Sequence, residues 1–268
     1  MTDILHYQFM QNALAAGLLT SIICGIIGTL VVVNRIVFIS GGIAHASYGG
    51  VGLAFFLGLP VLPVTTAFTL VAALIMASVT LHAKERADTV IGVLWAAGMA
   101  LGIILLDLTP GYNVDLMSYL FGSILAVPRG DLPIMAGQAV LLLVLVAIFY
   151  KGFLVMSFDE EFARSRGVPV TFLYFLLICM VGVSVVMIIR VVGLILVIAL
   201  LTIPPFMAER YTRSLSGMMT VSTLLSVLFT VIGLAVSYLT NITSGASIIA
   251  VASVGFFLSF LLPKKKTA

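Results

Sequence analysis

Along this chain, apolar runs long enough to cross a bilayer alternate with short clusters of charge. A hydrocarbon core of about 30 Å needs about 20 apolar residues in a helix. Each charge placed inside it costs roughly 2.5–3.5 kcal/mol on insertion scales, so charges mark the ends of spans. A first span is predicted over about 12–33, closed by Asn34-Arg35. The charge-free run from Ile36 to Ala83 is too long for one crossing and breaks at Gly58-Leu-Pro60, giving spans over about 38–58 and 61–82. A fourth, over about 89–107, ends at Asp107 and a turn-rich loop that carries Asp115. Spans five and six cover about 132–150 and 169–189, and Arg190 interrupts the apolar pattern before span seven at about 191–208. The last charge-free run, Ser214 to Pro263, breaks at Asn241-Ile-Thr-Ser-Gly into spans eight and nine.

Lysine and arginine favour the cytoplasmic side. Arg35, Lys84 and Arg86, Lys151 with Arg164 and Arg166, Arg210 with Arg213, and Lys264 to Lys266 all fall there if Leu116–Val127 does not cross. That piece would make only about 18 Å of helix, so it is expected to be a short or re-entrant helix on the outer side. The expectation is an all-α, polytopic transmembrane helical bundle of about nine spans. Its N-terminus lies outside and its C-terminus in the cytoplasm, and residues 1–268 form one transmembrane domain. Eight spans result if the sixth and seventh are drawn differently.

Composition agrees with a multi-pass protein of the cell membrane. The chain is 62% hydrophobic and only 9% charged, against about 25% charged in soluble domains. The net charge of +3 comes from loop lysines and arginines and points to no nucleic-acid partner. Cys24 and Cys179 lie far apart in apolar runs and read as small hydrophobes. The leader MTDILHYQFMQN has no lysine or arginine, so the first span is expected to be an uncleaved helix. None of the five lysines follows a glycine, which removes a phosphate-binding loop of the G-x-x-x-x-G-K-[ST] kind. No carboxylate pair lies inside a span, as ion-coupled carriers use, and no nucleophile-plus-base arrangement supports an enzyme.

One titratable residue does fall inside a span. At 100° per residue, Gly41, His45, Tyr48, Gly49 and Gly52 of the second span lie within about 100° of one another and share a face. Gly42, Ala46, Gly50 and Ala54 recur every fourth residue beside them, a pattern that admits another helix backbone. An intramembrane histidine is costly, so it suggests a transport pathway; a hydrogen-bonded structural histidine is the other reading.

After span five, residues 157–167 form the longest charged cytoplasmic stretch. Ser157 is expected to cap a short helix with Glu160 reaching back as a capping box. Glu160 and Arg164 are spaced i,i+4, and Gly167 stands ready to end the helix, with Pro169 beyond it. Phe158 and Phe162 fall on one side, and Asp159 adds negative charge to the first turn. The segment is either a solvated connector or a docking helix for a cytoplasmic partner. Arg190 falls near the outer interface, where it either snorkels to headgroups or, with Asp107 and Asp115, forms a candidate outer gate.

Three stretches carry a family resemblance: Ser40-Gly-Gly-Ile-Ala-His45-Ala-Ser-Tyr-Gly-Gly50-Val-Gly, Phe158-Asp-Glu-Glu-Phe-Ala-Arg-Ser-Arg-Gly167, and Val192-Gly-Leu-Ile-Leu-Val-Ile-Ala-Leu-Leu-Thr-Ile-Pro-Pro205. Over nearly its whole length the chain resembles the permease subunits of ABC importers for zinc, manganese or iron. The resemblance implies the fold of the vitamin B12 and siderophore importers less one N-terminal helix. It implies a second copy of the chain or a paired permease, two cytoplasmic ABC ATPase subunits that hydrolyse ATP, and an extracytoplasmic metal-binding protein. Residues 158–167 would be the coupling helix seated in the ATPase, and Leu116–Val127 an outer-gate helix. His45 would be a transient metal ligand on the pathway, with Gly41, Tyr48, Gly49 and Gly52 as its lining or packing face.

The chain departs from the family at one position. Many members carry an aspartate four residues before the motif histidine, where this chain has Gly41. That leaves His45 to pair with the partner's His45 or to act as a polar lining residue. Imidazole suits zinc, whereas manganese prefers oxygen ligands, so the expected cargo is zinc, with no permanently bound cofactor. The alternatives are manganese or iron moved by the same machinery, a permease for a metal chelate or organic cofactor, and an ion-coupled carrier or membrane scaffold without an ATPase.

Overall fold

The computed structural model describes residues 7–82, 86–110, 122 and 124–261. Among them are ten α-helices: α1 (Gln8–Val33), α2 (Val37–Leu57), α3 (Val61–His82), α4 (Ala87–Asp107), α5 (Asp131–Phe158), α6 (Glu160–Ser165), α7 (Val170–Val192), α8 (Leu194–Glu209), α9 (Leu215–Thr240) and α10 (Ser244–Leu261). Each predicted span falls on one helix and the charged segment falls on α6, although α2 and the 16-residue α8 are not among the helices long and apolar enough to cross a membrane. Seven helices are long and apolar enough to cross a membrane: α1, α3, α4, α5, α7, α9 and α10. The predicted helix at Leu116–Val127 falls mostly outside the described residues, which show a 3-10 turn at Ile124–Ala126.

Helix α2 is instructive because it is not among those seven. Its glycines, serines, tyrosine and histidine depress its hydropathy, yet 14 of its 21 residues are buried. Neighbouring helices, rather than lipid, surround the polar helix.

Three predicted boundaries move, each for a backbone reason. Span five ends not near Lys151 but at Phe158; a lysine is a good helix former, so its charge closes the lipid-facing part without closing the helix. The break between spans six and seven is not at Arg190 but at Gly193, whose φ of 78° favours glycine, and α7 runs through Arg190. Ser157 is not a helix cap, since it belongs to the last turn of α5. Asp159 leaves the helical region (φ −152°, ψ 100°), and its carboxylate accepts the Phe162 N–H at 2.8 Å.

The chain divides into two compact units. One contains α1, most of α5, α8, α9 and α10. Here α1 and α9 run antiparallel: Gly17 of α1 abuts the Thr230 side chain, Gly25 abuts the Thr223 backbone, and the Ser21 and Thr230 hydroxyls lie 3.2 Å apart in a hydrogen bond. Gly28 packs on the Leu201 carbonyl of α8 and on Pro205. Pro205 has no N–H to offer the carbonyl four residues earlier, so α1 covers the oxygen that the proline leaves without its helical partner. Met207, Phe229 and Ala252 form a core joining α8, α9 and α10. Cys24, in this unit, and Cys179, in the other, are free thiols.

The other unit contains α2, α3, α4, the end of α5, α6 and most of α7. Helix α2 sits between α3 and α4. It runs parallel to α4, with Ala46 against Gly98 and Tyr48 and Gly52 against Gly102, and antiparallel to α3, with Gly42 near Met76 and Gly50 against Thr65 and Phe68.

Candidate transport site

His45 is half-buried in the middle of α2. Its ring stacks on the indole of Trp95 from α4, with centroids 4.0 Å apart and planes 13° apart. The indole is itself oriented, because its Nε1–H donates to the Met99 sulfur one turn on at 3.3 Å. Phe38, two turns before His45, lies on the same indole with centroids 6.3 Å apart. The close approach of α2 and α4 that makes the stack follows from small residues: a methyl on Gly98 would sit 2.7 Å from the Ala46 Cα.

The two imidazole nitrogens are not equivalent. Nδ1 is buried and has no hydrogen-bond partner among the described residues, while Nε2 is not among the buried unpaired atoms. The serine hydroxyls of α2 are used within the helix, Ser40 donating to the Val37 carbonyl at 2.7 Å and Ser47 to that of Ala44 at 2.6 Å. Gly41 is buried and contributes no side chain. Among the described residues, no group of three or more His, Cys, Asp or Glu is placed to hold a metal ion. His45 therefore offers one ring nitrogen in a setting with no ready-made cage.

Three of the expected face residues turn toward neighbouring helices. Gly49 meets the Phe68 ring and the Gly98 carbonyl, and Gly52 meets the Gly102 backbone. Tyr48 is buried, with its ring edge against Gly102. Asp107 is exposed at the end of α4. Asp115 lies outside the described residues, and Arg190 is placed by its backbone in the last turn of α7. The hydrophobic pattern of the sequence does not single out Trp95 or Met99. The signal for Trp95 was its being the only tryptophan, but its partner depends on which face of α4 meets α2.

The α6 segment has a defined stop at each end. Its start is held by the Asp159 cap. At its end Gly167 has φ 76°, its N–H donates to the Arg164 carbonyl, and the Val168 N–H donates back to Ala163, the paired bonds of a Schellman ending. Arg164 and Glu160 form the expected ion pair at 2.7 Å. Phe158 is 71% and Phe162 49% exposed, and the Arg166 guanidinium lies 5.3 Å from the centre of the Phe162 ring. Two large aromatics thus stand in the open on a segment whose backbone is fixed at both ends.

Residues 6–263 match the ABC 3 transport family. The chain is 50% identical over 259 residues to an uncharacterised membrane protein of Synechocystis, covering 97% of this chain and 92% of the other. It is 35% identical over 266 residues to the manganese transport system membrane protein MntC of Listeria innocua, covering 99% and 95%. It is also similar to a chain of the solved complex PsaBC from Streptococcus pneumoniae bound to a Fab, with a TM-score of 0.89, 35% identity and coverage of 98% and 95%. A putative metal-chelate type ABC transporter in an inward-facing conformation shares the fold, with a TM-score of 0.72 at 16% identity over 94% of this chain and 85% of that one. The ten helices, the glycine-packed α2 and the match across nearly the entire chain agree: this multi-pass membrane protein is a permease of the ABC 3 transport family.

Proposed function

We propose that this chain is the membrane-spanning subunit of an ATP-driven importer of divalent transition-metal ions, with His45 as a ligand in transit. The observation that carries the reading is the His45 ring: it is fixed flat on Trp95, has one nitrogen buried without a partner, and lies on a helix whose two serine hydroxyls are bonded within the helix. Metal-binding histidines ordinarily donate their second N–H to a carboxylate or carbonyl, which fixes the tautomer and raises the ring's basicity. His45 has no such support among the described residues. A metal held by Nε2 would leave the Nδ1–H buried and unpaired, a cost of about 1–3 kcal/mol. That cost weakens retention, and a pathway must bind an ion loosely enough to release it.

The identity of the ion is supported from a different direction. The relatives of Listeria innocua and Halalkalibacterium halodurans are named for manganese, as is the permease ScaB of Streptococcus gordonii. Their names support manganese for this chain, and the expectation of zinc, drawn from imidazole alone, has no support among them. Manganese prefers oxygen ligands; with Gly41 where an aspartate would stand, those oxygens would be water kept on the ion. In this reading an extracytoplasmic binding protein delivers the ion. A pair of such chains passes it inward, and separate ATPase subunits seat the α6 segment through Phe158 and Phe162.

The test is ATP hydrolysis by the reconstituted complex with its binding protein loaded with manganese, zinc or iron. Stimulation by the manganese-loaded protein above the other two supports the full reading. Stimulation by zinc alone rejects manganese, and stimulation by a metal-free organic ligand rejects metal import.

A further inference from the structure

A cleft of about 570 Å³ opens in the unit that holds α1 and α5, between the first half of α1 and the start of α5. The two helices hardly touch each other, so their side chains leave a groove rather than an interface. Its volume is in the range of sites that hold organic ligands, ~300–1,000 Å³.

Polarity changes along both walls in the same sense. On α1 the lining passes from Gln11 and Asn12 to Leu19, and on the facing wall from Arg129 to Leu132 and Ala136. Eight residues of helix make a groove length of about 12 Å, so along the open groove a polar mouth grades into an apolar floor over two turns. The mouth is braced: the Asn12 side-chain amide donates to the Val127 carbonyl at 3.3 Å, and the Arg129 guanidinium lies against the side-chain amide of Gln8. An amide orients the guanidinium but carries no charge. Among the described residues Arg129 forms no ion pair, and the nearby carboxylate of Asp131 is not part of the lining.

We infer that this cleft holds one anionic phospholipid, its phosphate on Arg129 at the mouth and an acyl chain along Leu19, Leu132 and Ala136. The charge selects a net-negative headgroup, since a zwitterionic one brings its own cation to an arginine already positioned by a neutral partner. The apolar floor selects a lipid over a soluble phosphate, which would use the mouth alone. The grading along both walls matches the one amphiphile that a membrane supplies in excess.

The experiment is native mass spectrometry of the purified permease complex, delipidated and then exposed to vesicles of phosphatidylglycerol or of phosphatidylcholine, with and without inorganic phosphate. Wild type should retain one phosphatidylglycerol per chain and little phosphatidylcholine, unaffected by phosphate. Arg129→Gln removes one charge contact worth about 1 kcal/mol and should lower retention about fivefold, while Arg129→Lys should retain most of it. Ala136→Phe leaves the arginine but fills the floor and should also lose the lipid, while eluting as wild type. Equal retention by wild type, Arg129→Gln and Ala136→Phe would mean ordinary annular lipid and overturn the inference. Displacement by phosphate with Ala136→Phe unaffected would assign a free-anion site and overturn it too. So would disulfide cross-linking between copies through Ala136→Cys in complexes that carry no lipid.

Discussion

His45 and Trp95 lie face to face, 4.0 Å apart and within 13° of parallel, across the glycine-lined seam between α2 and α4. The stack covers one face of the imidazole and fixes its plane, so in the proposed role the direction in which Nε2 would meet an ion is set by a residue from another helix. Aromatic stacking contributes about 0.5–1.5 kcal/mol beyond area. Trp95→Ala should therefore raise the metal concentration for half-maximal uptake by roughly two- to tenfold at an unchanged amount of assembled complex. Trp95→Phe, which keeps a stacking face, should restore most of it. Uptake curves normalised to complex recovered by size exclusion check this; identical curves for wild type and Trp95→Ala would mean that the stack positions nothing.

The α2–α4 seam predicts a contrast among glycines. A methyl on Gly102 would stand 2.5 Å from the Tyr48 carbonyl oxygen, and one on Gly98 2.7 Å from the Ala46 Cα. Both contacts are with backbone, which cannot swing aside, so each alanine should destabilise by about 1–3 kcal/mol. Gly92 and Gly137 have nothing within 4 Å of such a methyl. Alanine there should be neutral or stabilise by up to about 1 kcal/mol through helix propensity. Thermal stability of the purified complex separates the pairs, and similar melting of all four variants would contradict the packing described.

For α6, folding and docking should separate. Asp159→Ala removes the cap on Phe162, worth about 0.5–2 kcal/mol, and should loosen the segment without affecting the bundle. The double change of Phe158 and Phe162 to alanine removes only exposed rings, so the chain should fold as before while ATPase association falls severalfold. Pull-down of the ATPase by membranes bearing each variant measures this. Full association of the double variant would make the segment a mere connector.

How the sequence and the fold relate can be judged from particular positions. Charge shows where lipid ends and places the end of α3 at His82, whereas its start at Val61 follows from the Gly58-Leu-Pro60 break in a charge-free run. Helices, however, end where backbone geometry allows. Lys151 and Arg190 are charged but continue their helices, while Gly193 and Asp159 stop them. The end of α6 was legible because a glycine before a proline leaves few choices. The neighbourhood of His45 was legible only in part. Its glycines announced close packing, but the identity of its partner depends on the rotation of α4, which no local pattern in an apolar helix reveals.

The most direct test of the central claim is uptake of radioactive manganese by proteoliposomes holding the complete transporter, wild type against His45→Ala, with the binding protein and ATP supplied on their proper sides. The account predicts that His45→Ala assembles normally, still binds its ATPase, and loses most manganese transport. Transport at the wild-type rate by an assembled His45→Ala complex would contradict it.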